Sequence, residues 1–250
     1  VTILYAIVIF LSVFGSGALM LFVRIGKQPL KLLLAFSGAF LLGISLLQLI
    51  PEVYVERGTQ AGLFILAGFF IQLVLEYLTE GVEHGHAHVC EHDHEKGRLP
   101  WGMFIGVCLH SLLEGLPLTG TSHEPHTVHA ASTADLVIGI VLHNIPIAIT
   151  FVTMLLHLHV KRSTLFLMLF LFAAMTPLGM GAGMLLSDQL LADVEHFHTF
   201  ALAMVVGIFL HISTTILFET SENHRFNRFK FGVIMLGAGV ALALSYSHGH

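Results

Sequence analysis

The chain has 250 residues, of which 55% are hydrophobic and only 11% charged, with a formal net charge of −5 and a mean hydropathy of +0.84. A soluble domain carries about 25% charged residues, so a soluble globular enzyme is excluded, as is a disordered chain, which is poor in apolar residues. Eleven Lys and Arg against sixteen Asp and Glu leave no basic face for nucleic acid, and two cysteines, Cys90 and Cys108, make no disulfide framework.

What remains is an all-α integral membrane protein, with the oddity of 18 histidines. A helix crosses the hydrocarbon core with about 20 residues. Apolar runs predict eight spans: 1–23, 32–50, 62–80, 99–118, 134–157, 164–187, 199–218 and 231–247. The first has no basic leader and no small-residue cleavage site, so it reads as a true span, and the Val1 start points to residues before it. The second carries Ser37, Ser45, Gln48 and, at its outer end, Glu52. The third carries Gln72, Glu76 and Glu80 at i, i+4, i+8 on one helix face.

The loop that follows, 81–98, reads as a His-rich flexible segment within a single transmembrane domain of residues 1–250. His84, His86, His88, His92 and His94 fall there beside Cys90 and four acids. Imidazole, thiolate and carboxylate together bind zinc-like metals, while the glycines and charges argue against a rigid site.

The fourth span places His110, Ser111 and Glu114 just before Pro117. His110 and Glu114 are four apart and share a helix face. An imidazole and a carboxylate at membrane depth form half of a divalent-cation site. The proline is expected to leave the Leu113 carbonyl without its usual donor. His123, His126 and His129 follow in the next loop. The fifth span then places His143 and Asn144 before Pro146, which is expected to free the Leu142 carbonyl. An alternative for these polar groups is an interhelical hydrogen bond, such as His110 to Asn144, that serves packing alone.

The sixth and eighth spans read as packing helices through Gly179-xxx-Gly183 and Gly237-xxx-Ala241. The seventh carries Gly207, His211, Thr215 and Glu219 at i, i+4 spacing. Gln48, Glu76 and His211 are candidates for lining a cation path.

Ten of the eleven basic residues lie in alternate loops, and Arg57 is the exception. The positive-inside rule therefore predicts both termini outside, in a cell membrane or bacterial inner membrane. The outer loops lean acidic, through Glu52, Glu56, Glu124, Asp135, Asp188, Asp193 and Glu195, and would draw cations in.

The sequence resembles the ZIP family of divalent-metal uptake transporters, prokaryotic type, over essentially its whole length. The resemblance rests on His110-Ser111-Leu-Leu-Glu114-Gly115, on His143-Asn144-Ile-Pro146, on Leu46-Leu47-Gln48-Leu49-Ile50-Pro51-Glu52 and on the His-rich third loop. It implies eight transmembrane helices in a 3+2+3 arrangement, the outer triplets being related by an inverted repeat. Leu42-Gly-Ile44-Ser45 and Leu210-His-Ile212-Ser213 are short candidate counterparts. The family's first metal position carries over to His110, Glu114 and His143. The places of two further carboxylates of bacterial members hold Ile147 and Thr176 here, so one intramembrane metal is expected.

The expected function is secondary transport of a divalent cation into the cell, with no enzymatic cofactor. Asn144 and Ser111 would assist the three ligands. Zn²⁺ suits mixed N/O ligation, and Fe²⁺, Mn²⁺, Co²⁺, Cd²⁺, Ni²⁺ and Cu²⁺ remain open. The partners are the metal cation and the lipid bilayer, and a homodimer is compatible with the reading. The rivals are an intramembrane metal-dependent hydrolase, a metal sensor and an efflux protein. No His-Glu-x-x-His run supports the hydrolase.

Overall fold

The computed structural model describes residues 2–23, 25–79, 100–118, 127–189, 194–219 and 228–248. His84, His86, His88, His92 and His94 lie outside the described residues, as do His123 and His126. The described residues form an all-α protein of eight helices. They are α1 (Thr2–Leu19), α2 (Lys27–Arg57), α3 (Gln60–Thr79), α4 (Trp101–Gly115), α5 (Thr127–His157), α6 (Arg162–Gln189), α7 (Val194–Glu219) and α8 (Arg228–His248).

Seven of the eight are long and apolar enough to cross a membrane. The shorter one is α4, with 15 residues. Its end follows from Pro117, which has no N–H to continue the ladder. The chain tightens there instead. Leu116 N–H donates to the Leu113 carbonyl at 3.2 Å and Leu118 N–H to the Gly115 carbonyl at 3.1 Å. The Leu113 carbonyl expected to be left free is thus satisfied locally, and Pro117 ends the helix instead of kinking it. Pro146 behaves differently and sits inside α5, where Thr150 Oγ1 donates to its carbonyl at 2.9 Å.

A second irregularity lies within α2. Residues Ser45–Leu49 form a π-helical segment, in which Ile50 N–H reaches back to the Ser45 carbonyl. Pro51 follows directly and cannot donate to the Leu47 carbonyl. One wide turn absorbs the mismatch, as π-bulges do inside long helices. Gln48 stands in that turn. Gly58 then stops α2 with φ +55°, a conformation that suits glycine.

The helices pack as a bundle with α5 and α7 mostly buried and α1 and α8 mostly at the surface. The outward faces are apolar, for instance Ile3, Leu4 and Leu11 on α1 and Met235 and Leu236 on α8. Water would not tolerate such faces over so much of the molecule, whereas lipid tails match them. Inside, α3 packs on α7, α2 on α8, α4 on α6 and α1 on α5. Small residues let the backbones approach. A Cβ on Gly115 would strike the Thr176 carbonyl, and one on Gly179 the Leu112 carbonyl, which locks α4 onto α6. Gly68 and Gly207 do the same for α3 and α7. Gly237 meets the Phe36 carbonyl, and Ala241 meets Gly43, between α8 and α2.

Candidate metal centre

The middle of α4 faces the middle of α5. His110, Ser111 and Glu114 from α4 and His143 and Asn144 from α5 are all buried, none above 1% exposed. His110, Glu114 and His143 each offer a ligand atom within 4.8 Å of the others. The helix face shared by His110 and Glu114 brings His110 Nε2 to 3.1 Å from Glu114 Oε1. The His143 ring stands edge-on to His110, with centroids 5.8 Å apart.

The other atoms of these groups are tied down. Asn144 Nδ2 donates to Glu114 Oε2 at 2.8 Å. His110 Nδ1 lies 3.1 Å from Oε1 of Gln72, a fully buried residue on α3. An amide oxygen only accepts, so the ring donates from Nδ1, and in its neutral form it turns the Nε2 lone pair towards Glu114. In the neutral ring two acceptors then face each other at 3.1 Å, and a metal ion or a proton between them offsets the repulsion. Two ligands on a tetrahedral Zn²⁺, at about 2.0–2.1 Å each, lie about 3.3 Å apart. The spacing therefore suits a metal ion.

Asn144 Oδ1 and Ser111 Oγ are buried acceptors without a hydrogen-bond partner. Asn144 thus bonds Glu114 and not His110, and the interhelical hydrogen bonds of these groups are Asn144–Glu114 and His110–Gln72. Ile147, one turn after His143, is fully buried, and Thr176 is 2% exposed.

The candidates outside this cluster fall in two places. His211 on α7 pairs through Nε2 with Glu76 Oε2 on α3, and its ring meets Phe69 edge-on at 4.7 Å. Gln48 lies in the π-helical segment, its amide buried without a hydrogen-bond partner.

Sequence reasoning placed Gln72 only on a polar stripe. Its contact with His110 was not foreseen. The signal was its i, i+4 spacing from Glu76, which put both on one face without saying which helix that face would meet.

Residues 77–245, more than half of the chain, match the family described as ZIP Zinc transporter. The chain belongs to the ZIP family. No curated protein matches it significantly. As a ZIP protein it is a multi-pass integral membrane transporter and not an enzyme, so the hydrolase reading falls. Its partners are the bilayer and a divalent metal cation, and the buried His/Glu cluster is consistent with a binding site for that cation as transported substrate. Both halves of the cluster, on α4 and α5, lie within the ZIP match.

Proposed function

We propose that the protein is a secondary transporter that imports Zn²⁺, which binds to His110, Glu114 and His143 during passage. The observation that carries this reading is the fully buried cluster of His110, Glu114 and His143, whose ligand atoms lie within 4.8 Å of one another, with His110 Nε2 3.1 Å from Glu114 Oε1. Asn144 holds the far oxygen of Glu114 and so aims the near one. Asn144 Oδ1 and Ser111 Oγ are the neutral groups that assist as the ion sheds water. Mixed imidazole and carboxylate ligation favours Zn²⁺ over harder cations.

Only one metal is held between α4 and α5. Two cations a few ångströms apart repel strongly in a low dielectric and need shared carboxylates. Glu114 is the one carboxylate in the cluster, and Ile147 has no ligand atom. Gln48, Glu76 and His211 line the route. Glu76 stands one turn from Gln72 towards the end of α3 that leads to residues 81–98, whose histidines collect metal.

The architecture in this reading is eight spans, α4 included, in a 3+2+3 arrangement within one domain of residues 1–250. The helix pairing supports it. An exchange of α1 with α6, α2 with α7, α3 with α8 and α4 with α5 turns the pair α3/α7 into α8/α2, and the pair α4/α6 into α5/α1. All four are packed pairs. The basic loops orient the bundle with both termini outside.

The test is Zn²⁺ uptake into proteoliposomes. The parent protein accumulates Zn²⁺ saturably, and Glu114→Ala and His110→Ala, expressed to the same level, do not. Near-normal uptake by Glu114→Ala overturns the assignment.

A further inference from the structure

The geometry points to Gln72 as a positioning residue that sets both the tautomer and the donor strength of His110, an inference that rests on the reading of His110 as a metal ligand. Gln72 comes from α3, an element that supplies none of the three clustered ligands. Its side chain and that of His110 are both fully buried, and Oε1 lies 3.1 Å from Nδ1 across 38 positions of sequence. A contact of this kind is set by tertiary packing. Gly106 of α4 packs against Thr79 and the Leu75 carbonyl of α3, which brings the two helices together one turn from His110.

A neutral imidazole carries its single N–H on one nitrogen, and the partner of the other nitrogen decides which. With the Gln72 carbonyl on Nδ1, the proton is held there and Nε2 is left as a ligand facing Glu114. Without that acceptor the ring can place its proton on Nε2 and donate it to Glu114 Oε1. That internal bond closes the position in which the metal would bind.

The choice of an amide has a second consequence. Carboxylate partners make a metal-bound imidazole a stronger donor. The same helix provides the comparison one turn away, where the carboxylate of Glu76 pairs with His211. At His110 the acceptor is a neutral carbonyl, which orients the ring while adding no negative charge. Transport needs binding strong enough to capture the ion and weak enough to release it, and a neutral acceptor serves both.

The experiment is Zn²⁺ uptake by the full-length chain in proteoliposomes over a range of Zn²⁺ concentrations, with Gln72→Leu, Gln72→Glu and His110→Ala as variants. Loss of partners of this type typically costs about 10–100-fold in metal affinity. Gln72→Leu is expected to raise KM by that factor while Vmax at saturating Zn²⁺ stays near that of the parent. Gln72→Glu keeps an acceptor on Nδ1, so it is expected to hold KM at or below the parent value and to lower Vmax through slow release. A purely structural role predicts no such opposite split. An unchanged KM in Gln72→Leu, or an equal rise of KM in both variants, overturns the inference. If Gln72→Leu fails to fold, the direction of KM and Vmax in Gln72→Glu decides alone. If His110→Ala abolishes uptake while Gln72→Leu matches the parent, only the role of Gln72 falls; if His110→Ala transports normally, the metal centre falls with it.

Discussion

Asn144 Nδ2 donates to Glu114 Oε2 at 2.8 Å, which joins α5 to α4 through the one carboxylate of the metal cluster. The bond fixes which oxygen faces His110. Asn144→Leu is nearly isosteric and removes the donor while leaving Glu114 in place. Zn²⁺ binding is expected to weaken by about 10–100-fold, the usual cost of losing a group that orients a ligand. Titration of purified protein with residues 84–94 deleted measures it; an unchanged affinity contradicts the role.

Deletion of residues 84–94 is expected to leave transport turnover intact while reducing the number of metals bound per chain. The five histidines there are expected to bind metal and lie outside the predicted spans. Complete loss of uptake in reconstituted vesicles contradicts this.

The Glu76–His211 pair joins α3 to α7 away from the three-residue cluster. If it lines the route and does not hold the principal ion, His211→Ala should lower Vmax several-fold while equilibrium Zn²⁺ affinity at the centre is retained. A parallel loss of affinity would place His211 among the ligands instead.

Imidazoles must be neutral to bind a metal. Zn²⁺ affinity at the centre is therefore expected to fall as pH is lowered, because protons compete with the ion for the imidazole nitrogens. A titration of the loop-deleted protein whose affinity does not change with pH contradicts ligation by His110 and His143.

Ile147 lies one turn after His143 on α5 and is fully buried. Ile147→Glu is expected to add a second intramembrane metal or to tighten the first, read by metal count on the loop-deleted protein. The substitution buries a charge, so its folded yield rises with added Zn²⁺ if the carboxylate meets the ion. No change in count or affinity shows that the position does not face the metal.

The membrane-spanning character was legible because apolar runs, prolines and basic loops act locally. Seven predicted spans correspond to helices long and apolar enough to cross a membrane. The shared face of His110 and Glu114 was legible from their i, i+4 spacing, since a helix has one period. The ends of elements were less so. Pro117 reads equally as a kink or a stop, and the tight turn at Leu116 and Leu118 decides it. The π-helical turn at Ser45–Leu49 left no signal beyond Pro51. The Gln72–His110 contact was invisible for a different reason: a polar stripe fixes a face, and only the tertiary packing of α3 on α4 says what that face touches.

The most direct test of the central claim is anomalous diffraction from Zn²⁺-soaked crystals of the protein with residues 84–94 deleted. One full-occupancy peak is expected between α4 and α5, at about 2.0–2.2 Å from His110 Nε2, a Glu114 oxygen and a His143 nitrogen. Two full-occupancy peaks there, or a single peak bound elsewhere with these three residues uncoordinated, would contradict it.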